Sequence, residues 1–502
     1  MMPLSIFTVD LVPDNLLTIV SVMLIFALMV SKIGTRLGAP ALLIILLVGM
    51  LVGADGVGLQ FQNYHVAEHV GHFAMSIILF AAGMETSLKE TRPVMKQGLL
   101  LSTVGVLLTI TITGAFLILL IRPLLGGIFS TALGCLLLAA IISYTDSTSV
   151  FSILHGKRLH LRENLGPLLE LESGSNDPVA FTLTLLLVSL FSKADVTLLT
   201  GSDGYGAMAI AGAMLFTLQI VIGAAVGFGI GFAGKWLLGK VSFSIPSLTA
   251  IFILSIGFLA NGLADDLGGN GLLSLYITAI LIGNKVPLGA QKRDVGKFFE
   301  AMSWLAQLLM FLMLGLLARP SQMGSVALPA LLTGLFLILV ARPLSVFITL
   351  LPFRRLSFRA KVLVSWVGLK GAGPILFAMS PVVAGLDGSA EVFNLVFIIT
   401  LLSLICQGMS LSPAARLLKL SYDEDPQVQS FGLEMPEEMG MLRDHLISEG
   451  DSMDGSTLRE LSLPHGIRVV MVKRDGKFLV PHGSMKVHNG DHLIIVMGET
   501  DD

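Results

Sequence analysis

The sequence predicts an α-helical polytopic membrane protein with thirteen transmembrane helices, inverted repeats and two broken crossing helices, followed by a small α+β cytoplasmic domain. Three observations predict it. Of 502 residues, 54% are hydrophobic and 13% charged, about half the charge of a soluble domain. Apolar runs of spanning length recur as far as Leu420 and then stop. Basic residues gather in alternate connections between those runs.

A spanning helix needs roughly 20 mostly apolar residues. Runs of that kind cover 15–33, 39–54, 68–86, 98–121, 130–151, 165–191, 206–236, 246–263, 269–284, 299–318, 326–350, 361–382 and 391–415. The first lacks a basic n-region and a small-residue cleavage site, so it reads as a retained span. Connections on one side hold Lys32 and Arg36; Lys89, Arg92 and Lys96; Lys157, Arg158 and Arg162; Lys235 and Lys240; Lys285, Lys292, Arg293 and Lys297; Arg354, Arg355, Arg359 and Lys361; and Arg416 and Lys419. The other side holds only Arg122, Lys193 and Arg319. Basic loops stay in the cytoplasm. The N-terminus is therefore expected outside and the C-terminus in the cytoplasm, which requires an odd number of spans. The expected location is a bacterial cytoplasmic (inner) membrane. Cys135 and Cys406 both lie in apolar runs and read as small core residues.

Residues 1–420 form the membrane domain in this reading, 421–429 a polar linker, and 430–502 the cytoplasmic domain. In the last, Ile467–Val472 and His492–Met497 read as strands. Arg474-Asp475-Gly476 and Asn489-Gly490-Asp491 are turn signals. Glu434–Leu446 is either a helix or a strand.

Two spans are interrupted by residues that a helix in lipid disfavours. The fifth contains Ser143-Tyr144-Thr145-Asp146-Ser147-Thr148-Ser149, and the twelfth Gly368-Leu369-Lys370-Gly371-Ala372-Gly373-Pro374. Proline lacks an N–H and glycine has little helix propensity. Non-helical backbone at membrane depth must line a cavity or be buried in protein. A broken segment in each half points to a transporter built from inverted repeats. Half-helix ends carry partial charges. Asp146 suits the N-terminal ends and Lys370 the C-terminal ends.

The sixth span contains Glu170, Glu172, Ser173, Asn176, Asp177 and Pro178. A carboxylate near mid-bilayer costs at least about 2.5–3.5 kcal/mol, so Asp177 needs a partner or a task. Ser173 lies one turn earlier on the same face. Hydroxyl, carboxylate and unwound carbonyl oxygens are hard ligands suited to an alkali cation. Desolvation favours the neutral, protonated carboxyl, while dipoles and Lys370 favour the charged form. Proton and cation therefore compete at Asp177. Because Asn176 is neutral, one formal charge alternates, which favours electroneutral one-for-one exchange. Other charges within spans are Glu85 and Arg342. Arg342 demands an acidic partner, with Glu170 and Glu172 as candidates; two apart on a helix, these face different ways.

At these residues the chain resembles the monovalent cation:proton antiporter superfamily, and within it the NhaP-type potassium/proton antiporters, also called cell-volume-regulation protein A. The motifs are Thr145-Asp146, Glu172-Ser173 with Asn176-Asp177, Leu79-Phe80-Ala81-Ala82-Gly83-Met84-Glu85, and Gly368-Leu369-Lys370-Gly371. The resemblance implies a homodimer with a dimerisation domain and a six-helix core that moves like an elevator. It implies Asp177 as the cation and proton site, with Ser173, Thr145 and Glu85 contributing oxygens. It implies that Asn176 orients the site and Asp146 braces the crossing. Many relatives carry Arg where Lys370 stands and Pro where Ser147 stands. The tail resembles the C-terminal subdomain of regulators of potassium conductance through Asp454–Leu461, Val472–Gly476, Val480-Pro481 and Gly490–Val496. Such domains dimerise and often bind a nucleotide or ion. No Gly-x-Gly-x-x-Gly precedes it, which argues against NAD.

The expected partners are potassium or sodium ions, protons, the lipid bilayer and a second copy of the chain, with no nucleic acid. No resident metal or cofactor is called for in the membrane domain. Two competing classes are weaker. A potassium channel should carry a carbonyl filter such as Thr-Val-Gly-Tyr-Gly, and none occurs. An intramembrane enzyme would need a base near Ser173. His65, His69 and His72 have ligand-like spacing but lie at an outer loop boundary, and no histidine of a span lies near Ser173.

Overall fold

The computed structural model describes residues 9–10, 13–36, 40–61, 63–146, 149–150, 159–191, 205–241, 243–353, 356–423, 442–447, 455–461, 467–474 and 477–497. The chain divides into two compact units, Met1–Tyr422 and Asp423–Asp502.

The first unit is helical. Its helices are α1 (Pro13–Arg36), α2 (Ala41–Val52), α3 (Tyr64–Glu85), α4 (Leu88–Leu124), α5 (Ala132–Ser143), α6 (Leu165–Ser189), α7 (Tyr205–Leu238), α8 (Pro246–Asp266), α9 (Gly271–Lys285), α10 (Lys292–Leu317), α11 (Gly324–Thr349), α12 (Phe358–Trp366), α13 (Ala372–Val383) and α14 (Ser389–Leu417). Among the described residues, seven helices are long and apolar enough to cross a membrane by length and composition: α3, α4, α7, α8, α10, α11 and α14. Asparagine and hydroxyl caps start several helices. Asn63 accepts from the Val66 amide at 3.0 Å, Asn270 from Leu273 at 2.6 Å, and Ser357 from Ala360 at 3.1 Å. Gly49 of α2 and Gly315 of α10 let two backbones touch; a Cβ on Gly49 would meet the Gly315 Cα at 2.8 Å.

Two segments that the sequence reading passed over are copies of one another. Thr-Gly-x-Phe-Leu-Ile-Leu-x-x-Arg-Pro-Leu occurs at 113–124 and again at 333–344. Each copy widens into a π-helical turn at the same place, Leu117–Ile121 in α4 and Leu337–Ala341 in α11. Their Phe116 and Phe336 rings stack in parallel, with centroids 3.9 Å apart. The residues before Phe116 touch those after Phe336, and the converse also holds, so the copies pass each other antiparallel. Thr109 and Ser345 join the same pair of helices by a 2.8 Å hydrogen bond.

Both predicted interruptions contain non-helical backbone. α5 stops at Ser143 and residues 144–146 leave the helix; α12 stops at Trp366, and 368–371 run unwound into α13. Cys135 is buried, but Cys406 is exposed. The expectation of a core position for Cys406 is therefore corrected: α14 is apolar on its outer face too, so an apolar run does not separate core from lipid.

The second unit holds a four-stranded antiparallel sheet of β1 (Leu442–Leu446), β2 (Ile467–Arg474), β3 (Lys477–Leu479) and β4 (His492–Met497), in the order β1-β4-β2-β3. Leu442–Leu446 is thus a strand, while 434–441 and the predicted turn residues Asp475 and Gly476 lie outside the described residues. Val472, Leu493, Ile447 and Val487 form its core. Arg474 grips Asp491 with two bonds, Nε at 2.8 Å and Nη2 at 2.7 Å.

Candidate ion-binding site

The two unwound segments cross and hold each other. The Asp146 amide donates to the Leu369 carbonyl at 2.9 Å. Lys370 Nζ reaches back to the end of α5, donating to the carbonyl oxygens of Ser143 at 3.1 Å and Tyr144 at 2.6 Å. These carbonyls lie at the C-terminal end of α5, and a cation there matches the negative end of the helix dipole. Asp146 serves the opposite polarity. Its carboxylate accepts from the Ser149 amide at 3.1 Å and the Ser149 hydroxyl at 2.6 Å, capping the backbone that follows the break. It also lies against Gly371, the residue before α13, where a Cβ would collide with Asp146 Oδ2. The far side of the crossing is pinned from α14. Ser403 accepts from the Lys370 amide at 2.8 Å and donates to Gln407 at 2.6 Å, and Gln407 donates to the Trp366 carbonyl at 2.8 Å.

α6 passes the crossing with its polar face inward. Glu172, Ser173, Asn176 and Asp177 are all buried. The Asn176 amide donates to Thr145 Oγ1 at 2.9 Å, and that hydroxyl lies 3.4 Å from Ser173 Oγ. The Tyr144 hydroxyl donates to Asp177 Oδ2 at 3.4 Å. Consecutive residues of the break thus meet consecutive residues of α6. Two buried oxygens beside this cluster, Asp177 Oδ1 and Asn176 Oδ1, accept no hydrogen bond. A buried acceptor left without a donor costs about 1–3 kcal/mol. Pro178 removes one more bond, because without an N–H it leaves the Gly174 carbonyl without its helical donor. Gly174 lets α6 approach α9, since a Cβ there would strike the Tyr276 ring.

Of the two candidate partners for Arg342, it is Glu172 that forms the ion pair, and both residues are buried. Gly368 gives the guanidinium room, because a Cβ there would lie 2.8 Å from Arg342 Nε. Glu172 also faces Lys370 electrostatically. Glu170 has Glu85 and Glu90 as its charged neighbours. Glu85 is not brought into the cluster. It is the last residue of α3, exposed, with Glu300 and Glu170 as its charged neighbours. The structure thus groups Asp177 with Tyr144, Thr145, Ser173 and Asn176, and places Glu85 at the end of α3. Tyr144, Ser403 and Gln407 were not anticipated. The signal available for Tyr144 was its place beside Thr145 in the break. Among the described residues no group of histidine, cysteine and carboxylate side chains could hold a metal ion.

Comparisons with known proteins show the family of the chain. The family model described as "Sodium/hydrogen exchanger, transmembrane" matches residues 20–417, and the TrkA-C domain matches residues 442–501. The chain is 38% identical over 491 residues to a protein of Shewanella oneidensis named K(+)/H(+) antiporter NhaP2, covering 96% of this chain and 80% of that one. It is 34% identical over 495 residues to the K(+)/H(+) antiporter NhaP of Alkalimonas amylolytica, covering 95% and 80%. Its fold is similar to the sodium proton antiporter MjNhaP1 of Methanocaldococcus jannaschii, with a TM-score of 0.67 at 22% identity over 80% of this chain and 98% of that one. A family match across the helical unit, on a chain whose helices cross at two broken segments, gives one conclusion: the protein belongs to the sodium/hydrogen exchanger family and is a membrane antiporter with a TrkA-C domain after it.

Proposed function

We propose that this chain exchanges potassium for protons across a bacterial inner membrane, one for one, by competition at Asp177. The observation that carries the reading is the pair of buried, unpartnered oxygens Asp177 Oδ1 and Asn176 Oδ1 beside the Thr145 and Ser173 hydroxyls. Oxygens without donors suit either a proton or an alkali cation, and not both at once. Asn176, oriented by Thr145, adds a neutral ligand, so a single carboxylate alternates. Arg342 and Lys370 offset Glu172 and Asp146 in formal charge, so no net charge beyond the alternating carboxylate has to move with the ion. The names of the relatives favour potassium.

In the same reading thirteen helices cross the membrane, with the N-terminus outside and the tail in the cytoplasm. The two halves are inverted repeats related about the Phe116–Phe336 stack, a relation supported by the duplicated segment. A homodimer supplies a fixed scaffold against which the core with the crossing moves as an elevator. The tail acts as a regulatory domain answering to a nucleotide or ion.

The test is the purified chain in liposomes containing a pH dye, challenged in turn with potassium, sodium and lithium. Potassium-driven proton movement that persists with the membrane potential clamped supports the reading. Potassium current at fixed pH without proton movement defeats it, and equal or greater response to sodium moves the substrate from potassium to sodium.

A further inference from the structure

Tyr144 is held from three sides. Its ring lies on Gly373, where a Cβ would be 2.6 Å from ring carbons, and packs edge-on against Phe377 with centroids 5.5 Å apart. Its carbonyl accepts from Lys370 Nζ at 2.6 Å. The hydroxyl is thereby aimed at Asp177 Oδ2, 3.4 Å away, while Asp177 Oδ1 has no partner.

We infer that Tyr144 is a specificity-determining residue that tunes Asp177 toward the larger alkali cation. The inference rests on the exchange reading above. A phenol that donates to a carboxylate oxygen occupies one of that oxygen's two lone pairs and draws charge from the group. The cation meets one wholly open carboxylate oxygen, Oδ1, on a group whose charge is partly drawn toward the phenol. Such a site exerts a weaker field than a free bidentate carboxylate. A weak field repays the dehydration of a weakly hydrated large ion more fully than that of a strongly hydrated small one, so field strength separates potassium from sodium.

The experiment compares wild type and Tyr144→Phe in liposomes with a pH dye, measuring KM and maximal rate for potassium and for sodium. Losing one hydrogen bond to the carboxylate should lower the sodium-to-potassium KM ratio by at least about threefold. A third chain carries 3,5-difluorotyrosine at 144, which preserves the shape and donates more strongly; its ratio should rise, and it also covers the case in which Tyr144→Phe does not fold. An unchanged ratio in Tyr144→Phe overturns the inference and leaves exchange intact. A ratio that falls with difluorotyrosine also overturns it. Absence of cation-driven proton movement in wild type overturns the exchange reading and this inference with it.

Discussion

Lys370 Nζ donates to the carbonyl oxygens of Ser143 and Tyr144 at 3.1 and 2.6 Å, so a side chain of one broken segment caps the open end of the other. Lys370→Met removes both bonds and the compensating charge. Loss of such charge-assisted bonds costs roughly 1.5–3 kcal/mol each at most. The expected outcome is loss of exchange in liposomes and a lower unfolding midpoint in detergent. Lys370→Arg keeps the charge but replaces a compact ammonium by a planar fork, and it should recover activity only in part.

Glu172 and Arg342 form a buried ion pair. Breaking a buried pair from one side costs roughly 3–5 kcal/mol, because the survivor is left uncompensated, whereas replacing both partners is often close to neutral. Arg342→Met should therefore destabilise strongly, and Arg342→Met with Glu172→Leu should regain most of the loss. Thermal unfolding of the four corners of this cycle in detergent measures the coupling. An additive double variant would contradict the pairing.

How far this pair was legible in the sequence illustrates the general limit. An arginine inside an apolar run announces that it has a partner. Two glutamates two positions apart announce that only one faces inward, but not which. The choice depends on the rotation of α6, which packing against α5, α9 and the crossing determines. The place of Glu85 at the end of α3 was hidden for a related reason, since a motif gives order along the chain and not depth in the fold. The breaks at 144–146 and 368–371 were legible because glycine, proline and charge at membrane depth are costly anywhere. The bond from Tyr144 to Asp177 was not, because it depends on how the segments cross. The copies at 113–124 and 333–344 stood in the sequence, and only the stacked Phe116 and Phe336 gave them a meaning.

Gly371 has no space for a side chain, since a Cβ would collide with Asp146 Oδ2. Gly371→Ala displaces the carboxylate that caps Ser149, and overpacking of this kind costs about 1–3 kcal/mol. The expected result is a folded protein with a reduced maximal rate and a nearly unchanged potassium KM, measured in liposomes. A raised KM with full maximal rate would show that Asp146 belongs to the ion's ligand shell.

In the tail, burial would raise the Asp491 carboxyl. The side-chain bonds and charge of Arg474 and the His488 amide at 2.9 Å outweigh that and hold it below its usual value. A depressed carboxylate contributes stability that is full above its unfolded value of about 3.9 and is lost as pH falls through the lower folded value. Amide exchange of β2 and β4 in the full chain should therefore be independent of pH in the neutral range after correction for the intrinsic rate, and protection should fall in acid. Asp491→Asn should lose roughly 1.5–3 kcal/mol of that protection at neutral pH and flatten its acid dependence.

In the proposed exchange, potassium and a proton exclude one another at Asp177. Its most direct test is proton release from the purified protein in weakly buffered detergent when potassium is added. The expected result is release of about one proton per chain at pH values where Asp177 is protonated, saturating with potassium, and none from Asp177→Asn. Undiminished release from Asp177→Asn, or saturable potassium binding to the wild type with no proton release at any pH, would contradict it.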